Sequence, residues 1–280
     1  MDQVAVPAPE DPGRDPEDEA RPAWPLWYVP VAFLGALSLT LVGAGVVAGV
    51  ADVTGIRDRS ALGVAQTLAQ DAALVLVALG LAARTARPRL WHLGLGRAPL
   101  GRLLAVAGIG YVAFIVAGQV YQRVFDPEGE QRIVERLGAD DSLASFVAIG
   151  VLVIVLAPIV EELFFRGFVF RALRERLSFP MAALIDGAVF GGVHYTGVET
   201  LSILPVFVLL GVIFCWTVER TGSLYPAIAM HAFNNALAYG ALTRSSDLIP
   251  AAIATVALAA VVASARLAPA GGPGAGRAAA

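Results

Sequence analysis

From residue 27 onward the chain alternates between long apolar runs and short polar connections. The runs fall at about 27–50, 61–83, 100–122, 143–165, 180–196, 201–218, 223–242 and 247–265. A helix needs roughly 20 apolar residues to cross the hydrocarbon of a bilayer. The expected fold class is therefore all-α, a polytopic integral membrane bundle of about eight transmembrane helices occupying residues 26–266. Residues 1–25 carry seven acidic side chains among prolines and no apolar run, so a disordered acidic segment is expected there, not a signal peptide. The Ala/Gly/Pro-rich tail, 267–280, is expected to be disordered as well.

The fourth run departs from plain hydropathy. Pro158 lacks a backbone donor and clashes with the preceding turn, so a fresh helix is expected from Ile159 to a turn near Ser178, with a second helix returning from Met181. If the two pack as an antiparallel hairpin, His194 falls beside Glu162 and within one turn of Glu161.

Composition agrees with a membrane chain: 57% of residues are hydrophobic and only 15% charged, against about 25% charged in soluble domains. The net charge of −3 comes largely from the N-terminal segment and gives no reason to expect nucleic acid. All 20 basic residues are arginine. Fourteen of them lie in the N-terminal segment, the even-numbered connections and the tail, and six in the odd-numbered connections. The positive-inside rule then puts both termini in the cytoplasm. Cys215 is the lone cysteine, so no intrachain disulfide can form; it is read as a small lipid- or core-facing hydrophobe.

Against this background the stretch Glu161-Glu162-Leu163-Phe164-Phe165-Arg166 is costly, at about 2.5–3.5 kcal/mol for each ionised side chain near a helix centre. Glu162 and Arg166 are four apart and share a helical face, so they can form an ion pair. Glu161 points elsewhere and is left without that partner, as a general base would be. Two of the three histidines, His194 and His231, also fall inside apolar runs. Small residues at 187, 188, 191 and 192 let another helix approach closely. His231 and Asn235, again four apart, can both donate hydrogen bonds to a developing oxyanion.

Glu161-Glu162-x-x-x-Arg166, Phe190-x-x-x-His194 and His231-x-x-x-Asn235, in that order, resemble the three motifs of the type II CAAX prenyl endopeptidase family, also called the CAAX protease and bacteriocin-processing (Abi-like) family. The resemblance covers about residues 143–242. It implies an intramembrane endopeptidase with a conical intramembrane cavity open toward the cytoplasm. Carried over residue by residue, Glu161 and His194 would activate water, His231 and Asn235 would stabilise the oxyanion, and Glu162 and Arg166 would hold the geometry. It also implies a membrane-associated peptide or protein substrate, membrane lipids as surroundings, and a multi-pass protein of a bacterial cell membrane. It fixes no oligomeric state.

A metal-free mechanism is favoured and zinc kept open, with Glu161, His194 and His231 as its ligands if the site is metal-dependent. The chain has no His-Glu-x-x-His helix, and Asn235 is a poor zinc ligand. The competing reading from another class is a non-catalytic membrane scaffold or immunity-type regulator that uses the same polar set for helix packing. A transporter with Glu161 as proton relay ranks below both, because no inverted repeat is evident. Gln66, Gln70 and Asp71 are read equally as cavity-facing or as packing residues. Asp186 and His92 are expected at an interface, Arg171, Arg174 and Arg176 near anionic lipid, and Trp24, Trp27 and Tyr28 in an aromatic belt.

Overall fold

The computed structural model describes residues 22–128, 133–243 and 248–268. The acidic segment up to residue 21 and the tail from 269 lie outside the described residues. Among the described residues there is no strand. The long helices are α1 (Tyr28–Thr54), α2 (Arg59–Ala83), α3 (Leu100–Phe125), α4 (Leu143–Arg174), α5 (Phe179–Val193), α6 (Leu204–Thr221, entered through a 3₁₀ turn at Val198–Ile203), α7 (Tyr225–Thr243) and α8 (Leu248–Leu267). Six segments are long and apolar enough to cross a membrane: α1 to α4, Val198–Thr221 and α8. The shorter α5 is apolar over its 15 residues except for Asp186, and α7 is interrupted by His231, Asn234 and Asn235. The all-helical membrane bundle read from the hydrophobic pattern is the fold.

Pro158 does not start a new helix. Instead α4 runs unbroken from Leu143 to Arg174 and widens into a π-helical stretch at Leu152–Leu156, where the N–H of Ala157 bonds the carbonyl of Leu152 five residues back. In that register the next donor belongs to residue 158 and the next acceptor is Val153. Proline has no N–H to give, and Asn235 from α7 fills the gap, its Nδ2 donating to the Val153 carbonyl at 2.9 Å. A second π stretch, Phe165–Val169, follows the charged residues. Such bulges rotate the helical face beyond them and recur at functional sites.

Two glycines decide how closely α5 and α6 approach. A Cβ at Gly187 would lie 2.8 Å from the Val208 carbonyl, and one at Gly211 would lie 2.8 Å from the Gly187 Cα and 3.0 Å from Arg166 Nη2. Backbone contact between small residues is how helices associate in lipid, where no hydrophobic force drives them together.

Long-range hydrogen bonds set the levels of the bundle. At one end the Arg102 side chain reaches the Arg220 carbonyl. At the other the Tyr121 hydroxyl donates to the Ser202 carbonyl at 2.7 Å. Midway, Arg166 Nη2 donates to the Gly211 carbonyl at 3.1 Å. The first end carries the arginine-rich connections and is filled with buried aromatic and aliphatic side chains from α1, α4 and the 90–95 turn.

Several polar residues expected at interfaces are inside this packing. Trp24 and Tyr28 are buried against Phe168, with ring centroids 4.9 and 6.3 Å away, so they belong to the core and not to a belt. His92 is buried too; its Nδ1 accepts from the Arg89 N–H at 3.2 Å. Arg171 Nη1 donates to the His92 carbonyl at 3.1 Å, and Arg174 forms a two-pronged pair with Glu219 at 2.7 and 3.1 Å. Arg171 thus ties the 90–95 turn to α4, and Arg174 ties α6 to it.

Candidate active site

At the centre of the bundle α4 presents Glu161, Glu162 and Arg166. The expected i,i+4 pair is formed: Arg166 Nη1 lies 3.0 Å from Glu162 Oε1, and both side chains are 0% exposed. A buried guanidinium needs more than one counter-group, and Asp186 of α5 supplies another, its Oδ2 3.2 Å from Arg166 Nε. The Gly211 carbonyl takes the remaining nitrogen at 3.1 Å. The guanidinium also sits over the rings of Phe190 and Phe214, 4.3 and 5.1 Å from their centroids, a cation–π arrangement. Asp186 is therefore not interfacial. It is fully buried because it neutralises Arg166, and it accepts a further contact from Cys215 Sγ at 3.1 Å. Cys215 is a core residue with a polar partner. Asp186, Phe190 and His194 are four apart in turn, and that spacing was the signal that could have placed Asp186 on the motif face.

His231 joins α7 to this cluster. Its Nδ1 is 3.0 Å from Glu162 Oε1, and its Nε2 is 3.9 Å from Glu161 Oε2. Glu161 differs from Glu162 as the side-by-side placement predicts: its side chain keeps 18% exposure while Glu162 has none. His194, at the C-terminal end of α5, is half-buried between Phe190 and Phe207, with ring centroids 4.7 and 4.6 Å away. Its Nδ1 meets the Phe190 carbonyl at 2.7 Å. A carbonyl only accepts, so the proton is on Nδ1 and Nε2 is left as an acceptor for water. Asn235 has one amide hydrogen engaged with Val153, as described above. Asp71 of α2 is buried, with Oδ2 unpartnered, and lies close enough to Glu161 to interact electrostatically.

Glu161, His194 and His231 are the residues that would hold a zinc ion if the site bound one. The Nδ1 contacts of both imidazoles are of the kind that orient metal ligands. Yet among the described residues no group of three or more His, Cys, Asp or Glu side chains is gathered to hold an ion.

Comparison with known proteins bears on the same segment. Residues 143–237 match the model of the family described as Type II CAAX prenyl endopeptidase Rce1-like. The chain is 30% identical over 142 residues to the Bacillus subtilis protein named "Putative membrane peptidase YdiL", covering 49% of this chain and 54% of that one. It is 25% identical over 142 residues to "Uncharacterized protein YyaK" of the same organism, covering 48% and 46%. An "Uncharacterized 24.3 kDa protein" of Escherichia coli is 26% identical over 131 residues, covering 46% and 58%. The chain thus spans about half the length of the curated relatives it matches. No solved structure matches.

Proposed function

We propose that this multi-pass membrane protein, whose residues 143–237 match the Rce1-like family, is an intramembrane endopeptidase that hydrolyses a peptide bond in a membrane-associated peptide or protein. The observation that carries the reading is the split between adjacent carboxylates. Glu162 is enclosed by Arg166 and His231, whereas the Glu161 side chain as a whole keeps 18% exposure, with only its Oε2 buried toward the same imidazole. A general base must reach water, and a residue locked in a buried ion pair does not.

In this reading Glu161 takes a proton from a water that His194 Nε2 also holds, and the oxygen attacks the scissile carbonyl carbon. The tetrahedral oxyanion accepts hydrogen bonds from His231 and from the second amide hydrogen of Asn235. For His231 to donate from Nε2 as well as Nδ1, its ring must carry both protons. As the C–N bond breaks, Glu161 returns its proton to the leaving amine. Glu162, Arg166 and Asp186 position these groups without touching the substrate. The reading uses no metal or other cofactor and places the protein in a bacterial cell membrane with both termini cytoplasmic.

The scaffold alternative draws on the same buried cluster, which ties α4, α5, α6 and α7 together. The two readings part at Glu161, whose loss should leave the cluster intact. The test compares membrane peptides from cells carrying the native chain or Glu161→Ala. Cleavage products that vanish with Glu161→Ala support the endopeptidase; identical peptide sets at equal protein levels sink it.

A further inference from the structure

α6 contributes no residue to the three motifs, yet one side of it meets the site's side chains at three levels. Phe207, Gly211 and Phe214 are spaced four and three apart and so share a helical face. The Gly211 carbonyl accepts from Arg166 Nη2 at 3.1 Å, and the Phe214 ring centroid is 5.1 Å from that of His231. Phe207 meets His194: the ring centroids are 4.6 Å apart and the planes 16° from parallel. We propose that Phe207 is a positioning residue for peptide hydrolysis, its ring holding the His194 imidazole in the orientation that aims Nε2 at the attacking water. The hydrolysis rests on the endopeptidase reading; the placement of the ring does not.

His194 needs such a support because of where it stands. It is the C-cap of α5, with φ −85° and ψ 1°, so no further turn of that helix flanks its side chain. Its own helix holds one edge of the ring, through Nδ1 and the Phe190 carbonyl at 2.7 Å. One hydrogen bond still lets the ring pivot about that bond. The near-parallel Phe207 ring and the Phe190 ring, 4.7 Å away and tilted by 52°, restrict the pivot and so fix the direction of Nε2.

Backbone contact sets Phe207 at this level. A Cβ at Gly191 would lie 3.0 Å from the Val208 backbone nitrogen and 3.3 Å from the Leu204 carbonyl, so the first turn of α6 rests directly on α5 three residues before His194. The adjoining Val206, Leu209 and Leu210 pack into the main apolar core, and Phe207, among the described residues, does not. Its ring partner is the histidine, which separates it from an ordinary core phenylalanine.

The full chain is labelled isotopically at histidine and reconstituted in lipid nanodiscs for magnetic resonance. Its three histidines give three imidazole signals, and His194→Gln identifies the one from residue 194 by its loss. A ring stacked face to face shields that signal upfield, so Phe207→Leu should move it downfield and Phe207→Tyr should leave it in place. Turnover is followed with a synthetic peptide spanning a cleavage site that disappears with Glu161→Ala. Phe207→Leu should lower kcat by about 2- to 10-fold, the weight of one aromatic pair, with KM unchanged. Phe207→Tyr should keep native kcat. If Phe207→Leu does not fold, Phe207→Met takes its place. An unmoved His194 signal in the ringless variant overturns the stack. A moved signal with native kcat, or an equal loss of kcat in Phe207→Tyr, overturns the positioning role and leaves the endopeptidase reading standing. If the native chain cleaves nothing in a Glu161-dependent manner, the endopeptidase reading falls, the role in hydrolysis falls with it, and the His194 signal alone decides the placement of the ring.

Discussion

His231 meets Glu162 across 3.0 Å, joining α7 to a carboxylate that has no exposure. Two consecutive glutamates on one helix therefore have different neighbours, and substitutions at the two positions should have different effects.

Glu161→Gln should keep expression and thermal stability near those of the native chain while lowering turnover by at least the 10²–10⁴-fold typical of a lost general base. Glu162→Gln should instead destabilise the fold by about 3–5 kcal/mol, because Arg166 is left underneutralised in the interior. Melting of the purified proteins in detergent, alongside turnover of a verified substrate, separates the two. Normal cleavage by Glu161→Gln would mean that the base has been assigned wrongly.

Asp186 should behave like Glu162 although it lies outside the three motifs. Asp186→Asn removes the second counter-charge of a fully buried guanidinium, so a comparable drop in melting temperature is expected. Asp52→Asn, which affects an exposed pair 3.5 Å from Arg57, should change stability by no more than about 1 kcal/mol.

The Val153 carbonyl offers a coupled test. Asn235→Ala leaves a backbone acceptor without its donor, at a cost of about 1–3 kcal/mol. Pro158→Ala restores an N–H to the helix at the position that should serve this carbonyl. The double variant should therefore melt closer to the native temperature than Asn235→Ala alone. If Asn235 also steadies the oxyanion, turnover should stay depressed in that stabilised double variant. Recovery of turnover along with stability would reduce Asn235 to a packing residue.

Close approach of α5 and α6 sets the positions of Asp186 and His194 relative to α4. Gly187→Val should be severely destabilising, since even a Cβ there meets the Val208 carbonyl at 2.8 Å and overpacking commonly costs 1–3 kcal/mol, with backbone contacts at the high end of about that range. Gly192→Ala, on the same helix with no atom within 4 Å of its would-be Cβ, should be neutral or slightly stabilising. Detergent melting curves of the pair check the difference.

Chelator treatment of active protein should leave turnover unchanged, and elemental analysis should find zinc well below one equivalent. Loss of activity on chelation, restored by added zinc, would overturn the metal-free mechanism.

The sequence by itself determined the helical bundle, the location of most spans and the pairing of Glu162 with Arg166, because these depend on local quantities. Apolar run length decides whether a segment spans, and a four-residue interval decides which side chains share a helical face. The helix broken at Pro158 was a reasonable local expectation that tertiary structure reversed, since a donor from a helix 77 positions later, Asn235, replaced the missing N–H. Asp186 could not be assigned to the core from its own neighbourhood: only the approach of Arg166 makes its burial tolerable. The same holds for Trp24 and Tyr28, which pack on the distant Phe168, and for the His92 carbonyl, which is held by Arg171.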